Sequence, residues 1–527
     1  MGKNKYLNSV NIIGSGIGGL FCGAILAKYG LKVNIFEERS KIGGYASSWK
    51  RKDFLFDSSL HELNGFFPDD KKLRAFRFLG LFKKIKLIKI PSCYTSLFND
   101  FEFKVPHDFE EFKDKLIDHF PAEKKNINIV MNTMKNISNQ AYAFVDEKSD
   151  SRAIKKSAFK YRTLIKYMFS TVYDLIWKKI KTSRLRTILA QMIYYYSHDI
   201  RKMNLIYFSS PTYTFINEAY WISGTSSSLS AALKNIIEKN GGKVYLNSKV
   251  TKIIFKDKKA IGVRINNSND CFSDITISNS PILTTVREFI NKRDISFLLR
   301  RKALKTIPST SLFSIYLGMN IDVKKIGIKE FCYMINELDD IDDVIKKDRL
   351  VDYKLRPIIL ASYLLDNSLC PKGKTVVNLC VVDNISYWDR FKNDKKAYSD
   401  EKKRIADILI ERVNEKFNGF AKYIEVAEIA TPLTMKRFTG NPYGSVYGAC
   451  QRIFQGNLFR FPNEIKNKNL YFCGSWVRPG GGFSGSIVSA IRTSDLILKK
   501  YSIKNQLHDF IKPLPALGFN PLSDLNN

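Results

Sequence analysis

Residues 10–46 read VNIIGSGIGGLFCGAILAKYGLKVNIFEERSKIGGYA: an apolar run, a glycine turn, an apolar segment of helix length, a second apolar run and an acidic residue, in unbroken order. Gly14, Ser15, Gly16, Gly18 and Gly19 carry the turn, with G-x-G-x-x-G placed directly after Val10 to Ile13. In that pattern the first glycine makes the tight turn, the second lets backbone approach a pyrophosphate, and the third lets the helix pack close to the strand. The helix expected over Ile17 to Tyr29 turns its unpaired N–H groups and positive dipole end toward phosphates, and Gly30 stands where a C-terminal cap belongs. Glu37 closes the expected strand Lys32 to Phe36 and is placed to accept hydrogen bonds from a ribose diol. The unit predicts a wrapped dinucleotide. Six residues on, Gly43-Gly44-Tyr45-Ala46 offers a second close backbone approach, with an ordinary turn as the alternative.

A chain of 527 residues exceeds what one core usually holds, so two or three interleaved domains are expected. A hydrophobic content of 44% and a mean hydropathy of −0.20 suit a globular protein. No uninterrupted apolar run reaches the length of a transmembrane helix, and the first apolar run passes straight into the glycine turn rather than into a signal-peptide cleavage site. The eight cysteines are scattered without a C-x-x-C pair or a cysteine-histidine cluster at zinc spacing. A reducing, cytoplasmic setting and no structural metal follow as expectations.

The charge balance is the anomaly: 85 Lys and Arg against 51 Asp and Glu give +34. Nucleic acid, an anionic membrane surface, or plain surface solvation would each account for it. Between Arg152 and Arg186 eleven basic residues stand against one acid, Asp174, interleaved with apolar and aromatic residues. Tyr161, Leu164, Met168, Val172 and Ile176 recur at helical spacing, so the segment is expected to form a basic amphipathic helix, either facing a core or lying in a membrane interface. Nucleic acid is disfavoured, since no nucleic-acid fold motif accompanies the charge.

The pattern alternates between a nucleotide domain and something else. Expected boundaries are 1–70, 206–285 and 431–505 for three parts of a Rossmann-like domain. A helical, basic cap is expected over 71–205, a mixed α/β substrate domain over 286–430, and a tail over 506–527. Near the C-terminus, Asn469 to Cys473 reads as a strand, Gly474 to Gly485 as a glycine-rich loop, and Ile487 to Lys499 as a helix, again a site for an anion or an electron-rich ring edge.

Through these motifs the chain resembles the phytoene desaturase, carotenoid isomerase and retinol saturase superfamily of FAD-dependent oxidoreductases. Besides the Gly14 to Glu37 fingerprint and Gly43-Gly44, the residues that carry the likeness are Phe56-Asp57-Ser58-Ser59-Leu60-His61, Ile277 to Pro281, Ala430 to Gly448 and the Gly474 to Ser486 loop. The resemblance implies a two-dinucleotide-binding-motif α/β fold with FAD. It implies FAD contacts from Gly14, Ser15, Gly16, Gly18, Gly19, Glu37, Gly43, Gly44, Tyr45, Ala46, Val250, Gly474, Ser475, Gly482, Phe483, Ser484 and Gly485. It also implies an apolar polyene or lipid substrate that is desaturated, saturated or isomerised, peripheral membrane attachment, and electron exchange with a quinone, oxygen or an external donor. His61 is the candidate for proton transfer, with a structural histidine as the alternative. Three positions depart from the pattern: Ser475 where many flavin amine oxidases carry an acid, Tyr45 where an arginine often follows the double glycine, and Ser59 where retinol saturases commonly have glycine. A flavin oxidase of amines or other small polar molecules, and a flavin-binding scaffold without turnover, are the competing readings.

Overall fold

A strand buried on both faces needs parallel neighbours on both sides, and Ser9–Ile13 has them: Lys32–Phe36 on one edge and Ile275–Ser278 on the other, both parallel. The computed structural model describes residues 7–67, 70–147, 159–197, 199–347, 352–456 and 459–503. The sheet continues through Lys243–Tyr245 beside Lys32–Phe36 and through Leu470–Phe472 beside Ile275–Ser278, with Glu464–Ile465 antiparallel at the edge. Helices Ile17–Lys28, Ser226–Lys239 and Gly482–Lys500 pack together on one face. A three-stranded antiparallel sheet, Val250–Lys256, Lys259–Ile265 and Asn269–Phe272, covers the other, where Ile253 and Val263 meet Ile13 and Phe36. This is the Rossmann-like α/β layer that the glycine pattern predicted.

A second, seven-stranded sheet runs in the order Ile424–Ala430, Ser311–Met319, Thr375–Asp383, Ile358–Ser362, Cys332–Ile335, Ser92–Leu97, Glu102–Pro106. Its strands alternate with a period of two. Phe313, Ile315 and Leu317, with Val377, Leu379 and Val381, face the helix Lys395–Lys416 through Ile405, Leu409 and Val413, whereas Leu312, Tyr316, Ile359 and Cys380 look toward the nucleotide domain.

Two expectations change. The stretch 71–205 was expected to be helical, yet Ser92–Leu97 and Glu102–Pro106 complete the seven-stranded sheet, the former pairing in parallel with Cys332–Ile335. The two strands form a local antiparallel hairpin closed across Asn99-Asp100, and the first of them joins a sheet built from residues more than 200 positions away. The basic amphipathic helix is also not continuous: Arg162–Lys166, Val172–Ile176 and Ser183–Ala190 are separate short helices. The lone acid of the segment is the reason, since Asp174 and Thr171 form a capping box that starts a new helix at Val172. Tyr161, Val172, Leu175 and Ile176 are buried, so that stripe serves the core, while Ile165 and Phe169 stay exposed. Arg152, Lys155, Lys156 and the tail from 506 lie outside the described residues.

Gly14 and Gly19 show why the helix can start where it does. Gly14 has φ +89°, and a Cβ on Gly19 would sit 2.2 Å from the Gly14 carbonyl oxygen. Gly19→Ala should therefore push helix from strand and destabilise the fold by about 1–3 kcal/mol, visible as a lower thermal midpoint; an unchanged midpoint would contradict this packing.

Candidate functional site

Three backbone loops converge at the C-terminal ends of the parallel strands. Gly43 N donates to the Ser15 carbonyl (2.9 Å), and a Cβ on Gly44 would lie 3.5 Å from the Gly16 Cα, so the first two loops meet backbone to backbone. The third loop arrives after Leu470–Phe472: a Cβ on Gly18 would approach the Gly474 Cα to 2.8 Å. Asn279, just past Ile275–Ser278, fills the centre. Its side chain would be struck by a Cβ on Gly16 (2.9 Å), Gly18 (2.6 Å) or Gly474 (2.4 Å). Sequence reasoning placed Asn279 among the motif residues but gave it no role.

Glu37 is fixed at the end of its strand. Ser15 donates to Oε2 through its backbone N–H (2.9 Å) and its hydroxyl (2.7 Å), and the Arg39 N–H donates to Oε1 (3.0 Å). The carboxylate still lines a cavity of about 1210 Å³ that begins at these loops. Gly14, Gly16, Gly18, Gly43, Gly44, Tyr45, Ala46, Val250, Ser475, Gly482, Phe483, Ser484 and Gly485 share that wall with His61. Ser15, Gly19 and Gly474 do not line it; they stand behind it, shaping the loops through the contacts just described. Gly482 to Gly485 are also not loop but the first turn of Gly482–Lys500, whose free N–H groups therefore face the same space.

The segment after the double glycine carries the cavity from the nucleotide domain to the seven-stranded sheet. Tyr45 donates to the carbonyls of Gly444 (3.3 Å) and Ser445 (3.2 Å). Buried Asp57 accepts from the backbone of Ser59, Leu60 and Ser226, which locks the segment onto the helix Ser226–Lys239; burial pushes its carboxyl up to about 6. Tyr316 donates to the Ser58 carbonyl (2.7 Å) and Tyr363 to that of Leu60 (3.1 Å), so the same segment is tied to the sheet.

His61 is thereby held against Asn378 of the sheet. The Asn378 Nδ2 donates to the Ile315 carbonyl (3.4 Å), which leaves its Oδ1 to face His61 Nε2 at 3.1 Å, so Nε2 carries the proton. Burial holds the imidazole down at about 4, opposed by the Asn378 bond, and His61 is neutral near pH 7 with Nδ1 as an acceptor. It is an acceptor or wall group rather than a ready proton donor.

Two wall residues escaped the sequence reading. Glu62 is buried beside His61, and Tyr195 donates to its Oε1 at 2.7 Å. Lys72 is buried too, donating to the Asn64 carbonyl, to Ser484 Oγ (3.2 Å) and toward Asp70 Oδ2 (3.4 Å). Burial lowers its pKa, with Asp70 opposing. The only sequence signal is that Lys72 lies in the first turn of an amphipathic helix, Lys71–Leu79; in a chain with 85 Lys and Arg that signal is lost.

Comparison with known proteins adds the following. A family model described as an NAD(P)-binding Rossmann-like domain matches residues 12–79. The all-trans-retinol 13,14-reductase of Danio rerio is 24% identical over 93% of this chain and 86% of its own length. Prolycopene isomerase 1 of an Oncidium hybrid cultivar is 25% identical over 93% of this chain and 84% of its own. The 4,4'-diapophytoene desaturase of Staphylococcus haemolyticus is 23% identical, covering 93% and 98%. Among solved structures, an oxidoreductase from Methanosarcina mazei superposes with a TM-score of 0.65 at 15% identity, covering 92% of this chain and 100% of that one. Cyclohexylamine oxidase from Brevibacterium oxydans gives 0.61 at 13% identity, covering 94% and 100%. The chain is thus a relative, through nine-tenths of its length, of retinoid and carotenoid reductases, isomerases and desaturases, as the motifs implied; amine oxidases share the fold only at a distance.

Lys72 yields a test of how the cavity floor is held. Removing one partner of a buried ion pair costs about 3–5 kcal/mol, because the other charge is left uncompensated. Lys72→Met should lose stability on that scale in denaturant titration, and Lys72→Met with Asp70→Asn should recover a large part of it. Additive losses would mean that the pair is not coupled.

Proposed function

We propose that the chain is an FAD-dependent oxidoreductase, of desaturase, saturase or redox-isomerase type, that acts on C–C double bonds of a long apolar polyene or isoprenoid drawn from a membrane surface. One observation carries the reading: the glycine cradle and an apolar chamber are parts of a single cavity of about 1210 Å³. The kinship with retinoid and carotenoid enzymes supports the substrate class.

The residues present fit FAD. Gly16 and Gly44 let the first two loops meet backbone to backbone at the N-terminus of Ile17–Lys28, where both line the cavity, which suits a pyrophosphate. Glu37 and Val250 line the side suited to the adenosine half, brought together by the bond from Ser248 N to the Glu37 carbonyl (2.7 Å). Tyr45, Ala46, Ser475 and the first turn of Gly482–Lys500 line the side suited to the ring system. When bound, the flavin supplies hydride transfer at carbon. The chain's own part is to exclude water and hold the polyene, for which Tyr194, Tyr195, Tyr196, Ile206, Phe215 and Ile359 form an aromatic and aliphatic wall.

Among the described residues no helix is long and apolar enough to cross a membrane, so access to an apolar substrate requires a docking face. Phe169 and Phe454 are 58% and 75% exposed, with ring centroids 5.9 Å apart, and Phe459 joins them. Ile165 and Ile307 extend the patch, since Ile307 N donates to Gln455 beside Phe454. Lys166, Lys302 and Lys305 border it. The helix Arg162–Lys166 packs on Lys124–Glu147, whose Ala141 and Tyr142 line the cavity, so patch and cavity are neighbours. Exposed aromatics ringed by lysines suit an anionic lipid interface.

Two tests follow. Gly16→Val drives a branched side chain against Asn279 at the cradle and should abolish bound flavin by absorbance, with far-ultraviolet circular dichroism identifying the folded fraction; normal flavin content in folded Gly16→Val protein would remove the FAD assignment. For the membrane, basic residues near an anionic surface contribute about 1 kcal/mol each, so changing Lys166, Lys302 and Lys305 together to Gln should weaken co-sedimentation with phosphatidylserine liposomes about a hundredfold, and Phe169→Ser with Phe454→Ser should weaken it even at low salt. Unchanged sedimentation, or tighter binding to duplex DNA at the same salt, would overturn the docking face.

A further inference from the structure

The tyrosines of the cavity wall differ in where their hydroxyls go. Tyr45, Tyr207 and Tyr316 spend theirs on backbone carbonyls and Tyr195 on Glu62, while those of Tyr194 and Tyr196 are closed off from the cavity. Tyr447 lines the same wall, yet its hydroxyl makes no hydrogen bond among the described residues and is not one of the side-chain atoms shut away from water. That hydroxyl therefore opens into the cavity with its hydrogen uncommitted.

Backbone contacts fix the Tyr447 ring beside the space suited to the flavin. A Cβ on Gly448, the next residue, would lie 2.5 Å from the Ser475 carbonyl oxygen, and one on Gly481 would lie 2.0 Å from the Tyr447 carbonyl oxygen. A Cβ on Gly482 would lie 3.9 Å from Cδ1 and Cε1 of the Tyr447 ring. The ring thus rests on the first turn of Gly482–Lys500 and meets Tyr196 of the aromatic wall at 6.4 Å between centroids, edge to face. A carbon chain held against both that turn and that wall passes the hydroxyl. The titratable groups acting on Tyr447 are Cys380, Tyr207 and Tyr45, all neutral at pH 7. Burial, with these neighbours, pushes the hydroxyl well above the ordinary tyrosine range, so it remains a donor at any working pH.

We propose that Tyr447 is a catalytic residue, the hydroxyl that gives a proton to an unsaturated carbon of the chain held in the cavity when a double bond is saturated; this rests on the polyene reading above. One carbon of the double bond takes a hydride, with its electron pair, from a reduced dihydroflavin, which is left oxidised. At the other carbon a C–H bond forms as the Tyr447 O–H bond breaks. Carbon carrying that electron pair is a far stronger base than a phenolate, so the transfer runs downhill even from a hydroxyl that holds its proton tightly. The phenolate left behind is steadied by the positive end of Gly482–Lys500 and regains its proton from water as the product leaves. His61, neutral and holding its one proton toward Asn378, does not compete for this role.

The test uses the full chain and has three readings. In flavin-free Tyr447→Cys, N-phenylmaleimide should label position 447 by peptide mass mapping, and all-trans-retinol in detergent micelles should protect it. Tyr447→Phe keeps the ring, so it should hold flavin, thermal midpoint and retinol affinity, the last by fluorescence titration. Third, flavin-loaded enzyme is offered all-trans-retinol, phytoene and prolycopene, with dithionite and without. With any that is saturated, Tyr447→Phe should lose at least about a hundredfold in rate. A position 447 that is unlabelled or unprotected overturns the proposal, as does a loss of rate that comes with lost flavin or retinol binding, the mark of a packing role. Conversion without saturation, or saturation undiminished in Tyr447→Phe, overturns this role and leaves the polyene reading standing. Conversion of none of the three overturns the polyene reading and takes this role with it.

Discussion

Four glycines crowd against one side chain, and the rest of the molecule is arranged around that contact. Asn279 occupies the space between the first turn of Ile17–Lys28 and the loop after Leu470–Phe472, where a Cβ on Gly16, Gly18, Gly19 or Gly474 would come within 3.2 Å of it. Such approach is available only to backbone without side chains. It brings two helix N-termini, those of Ile17–Lys28 and Gly482–Lys500, to one cavity although they lie 465 positions apart in the chain (482 − 17). Both positive dipole ends then face the same space, which makes it a place for electron-rich groups.

The second constraint is the short segment from Asp57 to Glu62. Asp57 ties it to the nucleotide domain through the Ser226 N–H and braces it internally through those of Ser59 and Leu60, while Tyr316, Tyr363 and Asn378 tie it to the seven-stranded sheet. Because both sets of bonds are made by consecutive residues, the two sheets cannot shift relative to one another without breaking one set. His61 and Glu62 are therefore presented at the junction with fixed orientation, and the cavity between the sheets is preformed.

Charge is distributed by the same logic. The excess of Lys and Arg lies mostly at the surface, whereas the cavity wall holds groups whose charged forms burial disfavours: His61, Glu62 and Lys72. Tyr194, Tyr195, Tyr196, Ile206, Phe215 and Ile359 line the same cavity, and exposed Phe454 sits beside Lys302 and Lys305.

The nucleotide layer was legible because its demands are local. A strand, glycines at fixed offsets, a helix and an acidic residue must follow in order, and each observed boundary in Ser9–Ile13, Ile17–Lys28 and Lys32–Phe36 falls within one residue of the reading. The strands Ser311–Met319 and Thr375–Asp383 were legible for the same reason, being long apolar runs. What the chain could not announce depends on partners far away in sequence. The hairpin of Ser92–Leu97 and Glu102–Pro106 finds its place in the sheet only through Cys332–Ile335, and the basic stretch breaks at Thr171 because Asp174 caps a new helix there and Met203 and Ile200 take the next N–H groups. Asn279, Lys72 and Glu62 gained their roles only when folding placed them among Gly18, Ser484 and Tyr195. The sequence by itself determined the dinucleotide cradle, since glycine spacing is a property of the backbone. Tertiary structure alone decided which acid, lysine and asparagine lost their water, because desolvation is set by whatever the fold packs around a side chain and not by its neighbours in the chain.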